Sequence, residues 1–272
     1  MTRRAPQAPG FSHGEDVKNP TVRYERASHA ESVMGTVASF AIHVDSIGNS
    51  EITSAIECAC KSLHLADEMF STWKPNSALS RLRRGEISLL EAPVEILEVI
   101  ELCKLAREVS QGWFDPWRMP GGFDPTGLVK GWAVERALGK LRKPGICGAM
   151  INAGGDLVTF GKPVPGQSWR IGIRYPWNRE AIRCVIETTA AVATSGTYER
   201  GEILLDPHSG ERACQLASAT VIGPSLAMAD ALATALAVAG DPGMKWLAAL
   251  DGYEAYVIRL DGSEVVTSGL LG

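Results

Sequence analysis

The 272 residues carry 27 Lys and Arg against 31 Asp and Glu, a formal net charge of -4, 45% apolar side chains, 28 Gly and 15 Pro. Composition this near the globular average excludes a collagenous, low-complexity or mainly disordered chain, and the length allows one large domain or two small ones. A slightly acidic balance lacks the basic footprint of a nucleic-acid or anionic-lipid binder, which points to a small-molecule or protein substrate.

Residues 1–29 mix Arg, Pro, Gly, Asp and His without periodicity and read as a flexible N-terminal arm, leaving 30–272 as one domain. Alternation from Val33 to Val44 predicts a strand after the turn Met34-Gly35-Thr36. Ile52, Ala55, Ile56, Ala59, Leu63, Ala66 and Phe70 recur at helical spacing, predicting a helix over 50–70 that ends in the loop Trp73-Lys74-Pro75-Asn76. Pro93 opens a second helix, with Val94, Ile96, Leu97, Ile100, Leu102 and Leu105 on its buried side. The stretch 113–127 is rich in Asp, Pro, Gly and Trp, and so long a loop inside a domain marks function. A helix follows over 128–142. Ranges 149–161, 169–175, 182–192, 215–222, 254–259 and 264–267 read as strands, and 227–238 and 243–250 as helices, a mixture that favours α+β over a regular βαβ repeat.

The longest uncharged stretch, Gly223 to Gly240, is broken by Pro224 and Asp230 and falls short of the ~20 apolar residues a membrane span requires. No apolar run near the N-terminus reads as a secretory signal, so the expected placement is cytoplasmic. The six cysteines form no CxxC pair, and Cys58 and Cys60 point to different faces of their helix. Reduced, buried thiols are expected rather than a zinc site.

Four motifs could carry chemistry. Asp230 and Thr234 lie one helical turn apart in a run of apolar neighbours, so their oxygens can converge on one hard cation such as magnesium. Taken alone, the pair also fits a solvated Asp and a Thr bonded back to its own helix. The stretch Phe123-Asp124-Pro125-Thr126-Gly127-Leu128-Val129-Lys130 sets a turn at a helix start, where orphan N–H groups favour phosphate; Asp124 as a simple helix cap is the other reading. Asn152-Ala153-Gly154-Gly155-Asp156 reads by default as a hairpin turn, and the polar patch from Ala193 to Arg200 follows a strand, with Ser195 lacking the glycines of a serine nucleophile elbow. Trp73, Trp113, Phe114 and Trp117 lie in loops, where their faces suit either stacking on a flat ring or ordinary packing.

Met34-Gly35-Thr36, Ser71-Thr72-Trp73, Phe114-Asp115-Pro116, DPTGLVKGWA (124–133), NAGGDL (152–157), ATSG (193–196), Asp206-Pro207-His208-Ser209-Gly210 and ADALATAL (229–236), in this order, resemble the FAD:protein FMN transferase family, also called ApbE. The resemblance implies a mixed, mainly antiparallel sheet with packed helices. It also implies an enzyme that binds FAD with Mg2+ and attaches FMN through its phosphate to a Thr or Ser of an acceptor protein, with AMP leaving. By the same resemblance Met34, Trp73, Trp113, Phe114, Asp115, Asp124, Lys130 and, less directly, Ala217 would meet the flavin nucleotide. Asp230, Thr234, Ala233 and the backbone oxygen of Gly127 would hold the metal.

The chain departs from the family at one position. Family members commonly carry a histidine three residues before Asp-Pro as the base for the acceptor hydroxyl, and here that position is Ile203. His208 or Glu202 could take over, or neither. The vacancy leaves two rival expectations open, an FAD pyrophosphatase giving FMN and AMP, and a catalytically weak FAD-binding protein.

Overall fold

The computed structural model describes residues 25–45, 48–164, 166–196, 204–213 and 215–270. In chain order its strands are β1 (Glu25–Val33), β2 (Thr36–Val44), β3 (Ile146–Ala153), β4 (Asp156–Gly161), β5 (Arg170–Tyr175), β6 (Asn178–Glu187), β7 (Ala191–Gly196), β8 (Leu216–Gly223), β9 (Glu254–Arg259) and β10 (Glu264–Val266). The helices are α1 (Asn49–Phe70), α2 (Ala78–Arg83), α3 (Val94–Val109), α4 (Thr126–Lys140), α5 (Leu226–Ala239) and α6 (Asp241–Leu247).

Eight strands form one antiparallel sheet in the order β1-β2-β3-β4-β7-β8-β9-β10, while β5 and β6 pair as a separate ribbon. Strand alternation assigns the two faces. Ala38, Phe40 and Ile42 of β2, Ala149 and Ile151 of β3 and Val221 of β8 join the main core with the helices. Leu157, Val192 and Ile222 face the other way and pack on Trp169 and Ile171, and Tyr256 and Ile258 pack on Ile173, so the ribbon covers the second face. The result is an α+β fold of helices, sheet and ribbon, as expected.

α5 is the central helix, and every residue of it except Thr234 is buried. α4 packs against its start so closely that a Cβ on Gly131 would lie 2.4 Å from the Leu226 carbonyl oxygen. The orphan N–H groups at the start of α5 are met from α4: Leu226 N–H donates to Glu135 Oε1 (2.7 Å) and Ala227 N–H to Oε2 (3.3 Å).

Several expectations need correction. The arm expected over 1–29 lies outside the described residues up to 24, and Glu25–His29 belongs to β1, an edge strand whose polar alternation gave no apolar signal. α2 is too short to show a period in the sequence. α3 buries Ile96 as expected, but its other buried residues are Val99, Cys103 and Ala106, whereas Val94, Leu97 and Leu105 are exposed. The run read as one strand over 182–192 is broken where Thr188 Oγ1 accepts the Ala190 N–H (2.9 Å), and its two parts go to different layers. Ala193–Gly196 lies within β7 rather than beyond a strand.

Cys60 and Cys103 are buried, Cys58 is exposed, and Cys147 and Cys184 are half-buried; all five are free, and Cys214 lies outside the described residues. No helix among the described residues is long and apolar enough to cross a membrane.

Candidate active site

Two hairpin turns at one end of strands β1–β4 meet two helices. Met34 and Gly35 turn β1 into β2 with φ of 50° and 66°, and a non-glycine in that region costs roughly 1–3 kcal/mol. Gly154 and Gly155 turn β3 into β4, with Gly155 N–H donating to Asn152 Oδ1 (2.9 Å). A Cβ on Gly154 would stand 2.9 Å from Thr36 Oγ1, so the two turns touch. Between them, the start of α4 and the middle of α5 lies a cavity of about 100 Å³. Met34, Gly127, Lys130, Asp230 and Thr234 line it, joined by Thr36, Thr126, Thr194, Ser195 and Leu204.

Lys130 joins two buried carboxylates at the floor. Its Nζ pairs with Asp156 Oδ2 and lies 3.1 Å from Asp230 Oδ2. Gly131 N–H also donates to Asp230 Oδ2 (3.1 Å), and Thr194 N–H donates to Asp156 Oδ1 (2.9 Å). Burial raises the Asp230 carboxyl above the ordinary range, while the Lys130 ammonium and the Gly131 N–H act the other way. Thr234 Oγ1 is 3.3 Å from Ser195 Oγ, and a Cβ on Gly127 would come within 3.5 Å of Thr234 Oγ1.

The donors around this cavity are a carboxylate, hydroxyls and backbone groups, the hard oxygens that magnesium prefers. One ammonium against two carboxylates leaves the cluster with an excess negative charge, and Gly127 leaves space beside Thr234 where a side chain would intrude. Among the described residues, the Lys130 and Gly131 hydrogen bonds to Asp230 both fall on Oδ2. These residues fit Mg2+.

The remaining sequence candidates are dispersed. Phe114 is buried with its ring against Gly127. Asp115, also buried, pairs with Arg107 (2.8 Å) and accepts the Trp117 N–H (3.1 Å), so it fixes the loop rather than lining the cavity. Asp124 accepts the Thr126 N–H (3.1 Å) in a turn just before α4, whose N-cap position is Pro125, and stands 3.8 Å from Arg83. Trp73 is 94% exposed, and Ala217 and Ala233 are wholly buried and outside the lining. Glu202 and Ile203 lie outside the described residues.

His208 is exposed on the turn that begins at Leu204. Its Nδ1 is 3.2 Å from Asp206 Oδ1, and its ring stands edge-on to Trp113 with centroids 4.5 Å apart. On the outer side of the 113–125 loop, Leu89, Ile100, Trp117, Phe123 and the stems of Lys104 and Arg107 line an open groove of about 970 Å³. Sequence reasoning missed Asp156, Thr36 and Thr194; the only cue to Asp156 was a charged residue entering an apolar strand after two glycines.

The ApbE family model matches residues 34–120 and 117–257. The FAD:protein FMN transferase of Rhodobacter capsulatus is 35% identical over 155 residues, 53% of this chain and 29% of that protein. The Escherichia coli protein of the same name is 29% identical over 155 residues, 53% of this chain and 44% of that protein. These matches span less than half the length of those curated relatives. Among solved structures, the flavin transferase ApbE of Vibrio cholerae superposes with a TM-score of 0.78 at 21% identity, covering 92% of this chain and 99% of that one. The ApbE protein of Thermotoga maritima gives 0.77 at 22% identity, covering 90% and 98%. With one family model matching most of the chain, from the Met34 turn through the buried central helix α5, the chain belongs to the ApbE family.

Proposed function

We propose that this chain is a magnesium-dependent FAD:protein FMN transferase, attaching FMN to a Thr or Ser of an acceptor protein and releasing AMP. The observation that carries the reading is the oxygen-lined cavity in which buried Asp230, Thr234 and the backbone of Gly127 stand beside Lys130. Asp230 and Thr234, with the Gly127 carbonyl, would hold Mg2+, which when bound neutralises charge on pyrophosphate oxygens. Lys130 adds a fixed positive charge, and the positive end of the α4 dipole favours phosphate. The Met34 and Gly154 turns close the far wall. The apolar groove beside the Asp115 loop has flat walls in Trp117 and Phe123 that suit the flavin ring.

In the transfer, the acceptor hydroxyl oxygen bonds to the FMN phosphorus, the bond from that phosphorus to the oxygen of AMP breaks, and the hydroxyl proton goes to a base. His208 is the residue we assign, because Asp206 on Nδ1 orients the ring and leaves Nε2 to accept. Ile203, at the position where a base would be expected, favours a second reading in which water replaces the hydroxyl and FMN and AMP are both released.

Incubating the protein with FAD and Mg2+, with and without a Thr-containing acceptor peptide, separates these by mass. Transfer adds FMN to the peptide; hydrolysis gives FMN and AMP in both tubes; intact FAD in both overturns each enzymatic reading. His208→Ala should lower transfer by about 10²–10⁴-fold with FAD binding unchanged, and unaltered transfer would remove it as the base.

A further inference from the structure

A second cluster of ligating side chains lies between β1 and α1. Alternation along β1 puts His29 and Glu31 on one face of the strand, and Cys60 and His64 are one turn apart on α1. Glu31 joins the two elements, with Oε2 3.0 Å from His29 Nε2 and Oε1 2.7 Å from His64 Nε2. The ligand atoms of His29, Glu31 and Cys60 all lie within 4.8 Å of one another. Among the described residues β1 is the outermost strand of the sheet and pairs with β2. On its inward face, between core-facing Ala27 and Val33, His29 and Glu31 meet Cys60 and His64 of α1.

The geometry points to a zinc site formed by Cys60 Sγ, His29 and Glu31, with His64 held on the other Glu31 oxygen, clamping the edge strand onto α1. One sulfur, one imidazole and a carboxylate form a borderline-soft donor set that suits Zn2+ and not an oxygen-seeking Mg2+. On binding, the Cys60 thiol proton goes to solvent, the His29 imidazole turns a lone pair to the metal, and Glu31 exchanges its His29 contact for a metal bond while His64 stays on its other oxygen. The His29 ring is already placed edge-on to Phe40, with centroids 5.5 Å apart. The absence of a CxxC pair argued against zinc in the sequence because the three ligands come from two elements, a strand H-x-E and a single helical cysteine.

The test uses the full chain stripped of metal and then exposed to Zn2+ or Co2+ in the presence of excess Mg2+. Expected are about one tightly held zinc per chain, a rise in melting temperature with zinc, and a thiolate-to-metal charge-transfer band with Co2+. Cys60→Ser should abolish that band, and His64→Asn should weaken zinc binding at least ~10-fold. Should Cys60→Ser fail to fold, His64→Asn, at an exposed position, carries the test by itself. Asp230→Asn should keep the zinc. A wild-type chain that takes up none, or zinc that survives His64→Asn and is lost in Asp230→Asn, overturns the proposal.

Discussion

Lys130 holds two carboxylates that are almost wholly buried, with side-chain exposures of 1% for Asp156 and 5% for Asp230. Removing the ammonium would leave both charges without their counter-ion, and breaking a buried pair in this way costs about 3–5 kcal/mol. Lys130→Met should therefore lower the urea midpoint sharply. Adding Asp156→Asn to that variant should recover part of the loss, and a double variant no more stable than the single would show that the carboxylates do not share the strain. Asp230→Ala should abolish Mg2+-dependent FAD turnover, and full turnover of this variant at limiting Mg2+ would disprove the metal assignment. The Asp230 and Thr234 pair was legible because helical spacing alone puts them on one face. Asp156 was not, because its partner Lys130 lies on another element and the NAGGD stretch satisfies every rule for a plain hairpin turn. The loop aromatics were legible as unusual but not as dispersed: nothing in the sequence separates exposed Trp73 from buried Phe114.

Among the elements, α4 and α5 set the distance between the first turn of α4 and the buried Asp230 carboxylate. Gly131 lets them approach, and Gly131→Ala would put a methyl 2.4 Å from the Leu226 carbonyl oxygen, a backbone atom with little freedom to move. We expect a loss of about 1–3 kcal/mol from overpacking and weaker Mg2+ binding, since any separation of the helices moves Gly127 away from Thr234. Calorimetric melting with and without Mg2+ measures both; an unchanged melting temperature would mean the helices part without cost. Elements with a strong apolar period, α1 and α5 above all, could be read directly from the sequence. β1 could not, because an edge strand with polar residues on both faces has no apolar alternation, and the buried side of α3 could not, because Val99, Cys103 and Ala106 gave a weaker signal than the exposed leucines.

Across the whole molecule, stability depends on two interfaces with the same sheet, helices on one side and the β5–β6 ribbon on the other, and His43 reports on the second. It sits on β2 with 2% exposure, edge-on to Trp169, with ring centroids 5.5 Å apart; Nδ1 has no partner among the described residues. Across the β1–β2 pair it faces Arg26. Burial, helped by the Arg26 charge, lowers its pKa below the ordinary histidine value. The unfolded chain then binds a proton at this site at a higher pH than the folded chain does, so the stabilising contribution is complete above about pH 6.5 and is lost as the pH falls below it. The slope from one such group is at most about 1.4 kcal/mol per pH unit. His43→Phe retains the ring against Trp169 and removes the titration. Urea midpoints measured from about pH 8 down to about pH 5 should therefore fall less steeply for the variant than for the parent. Parallel profiles would mean that His43 takes up its proton in the folded protein, and that the layer between sheet and ribbon admits water.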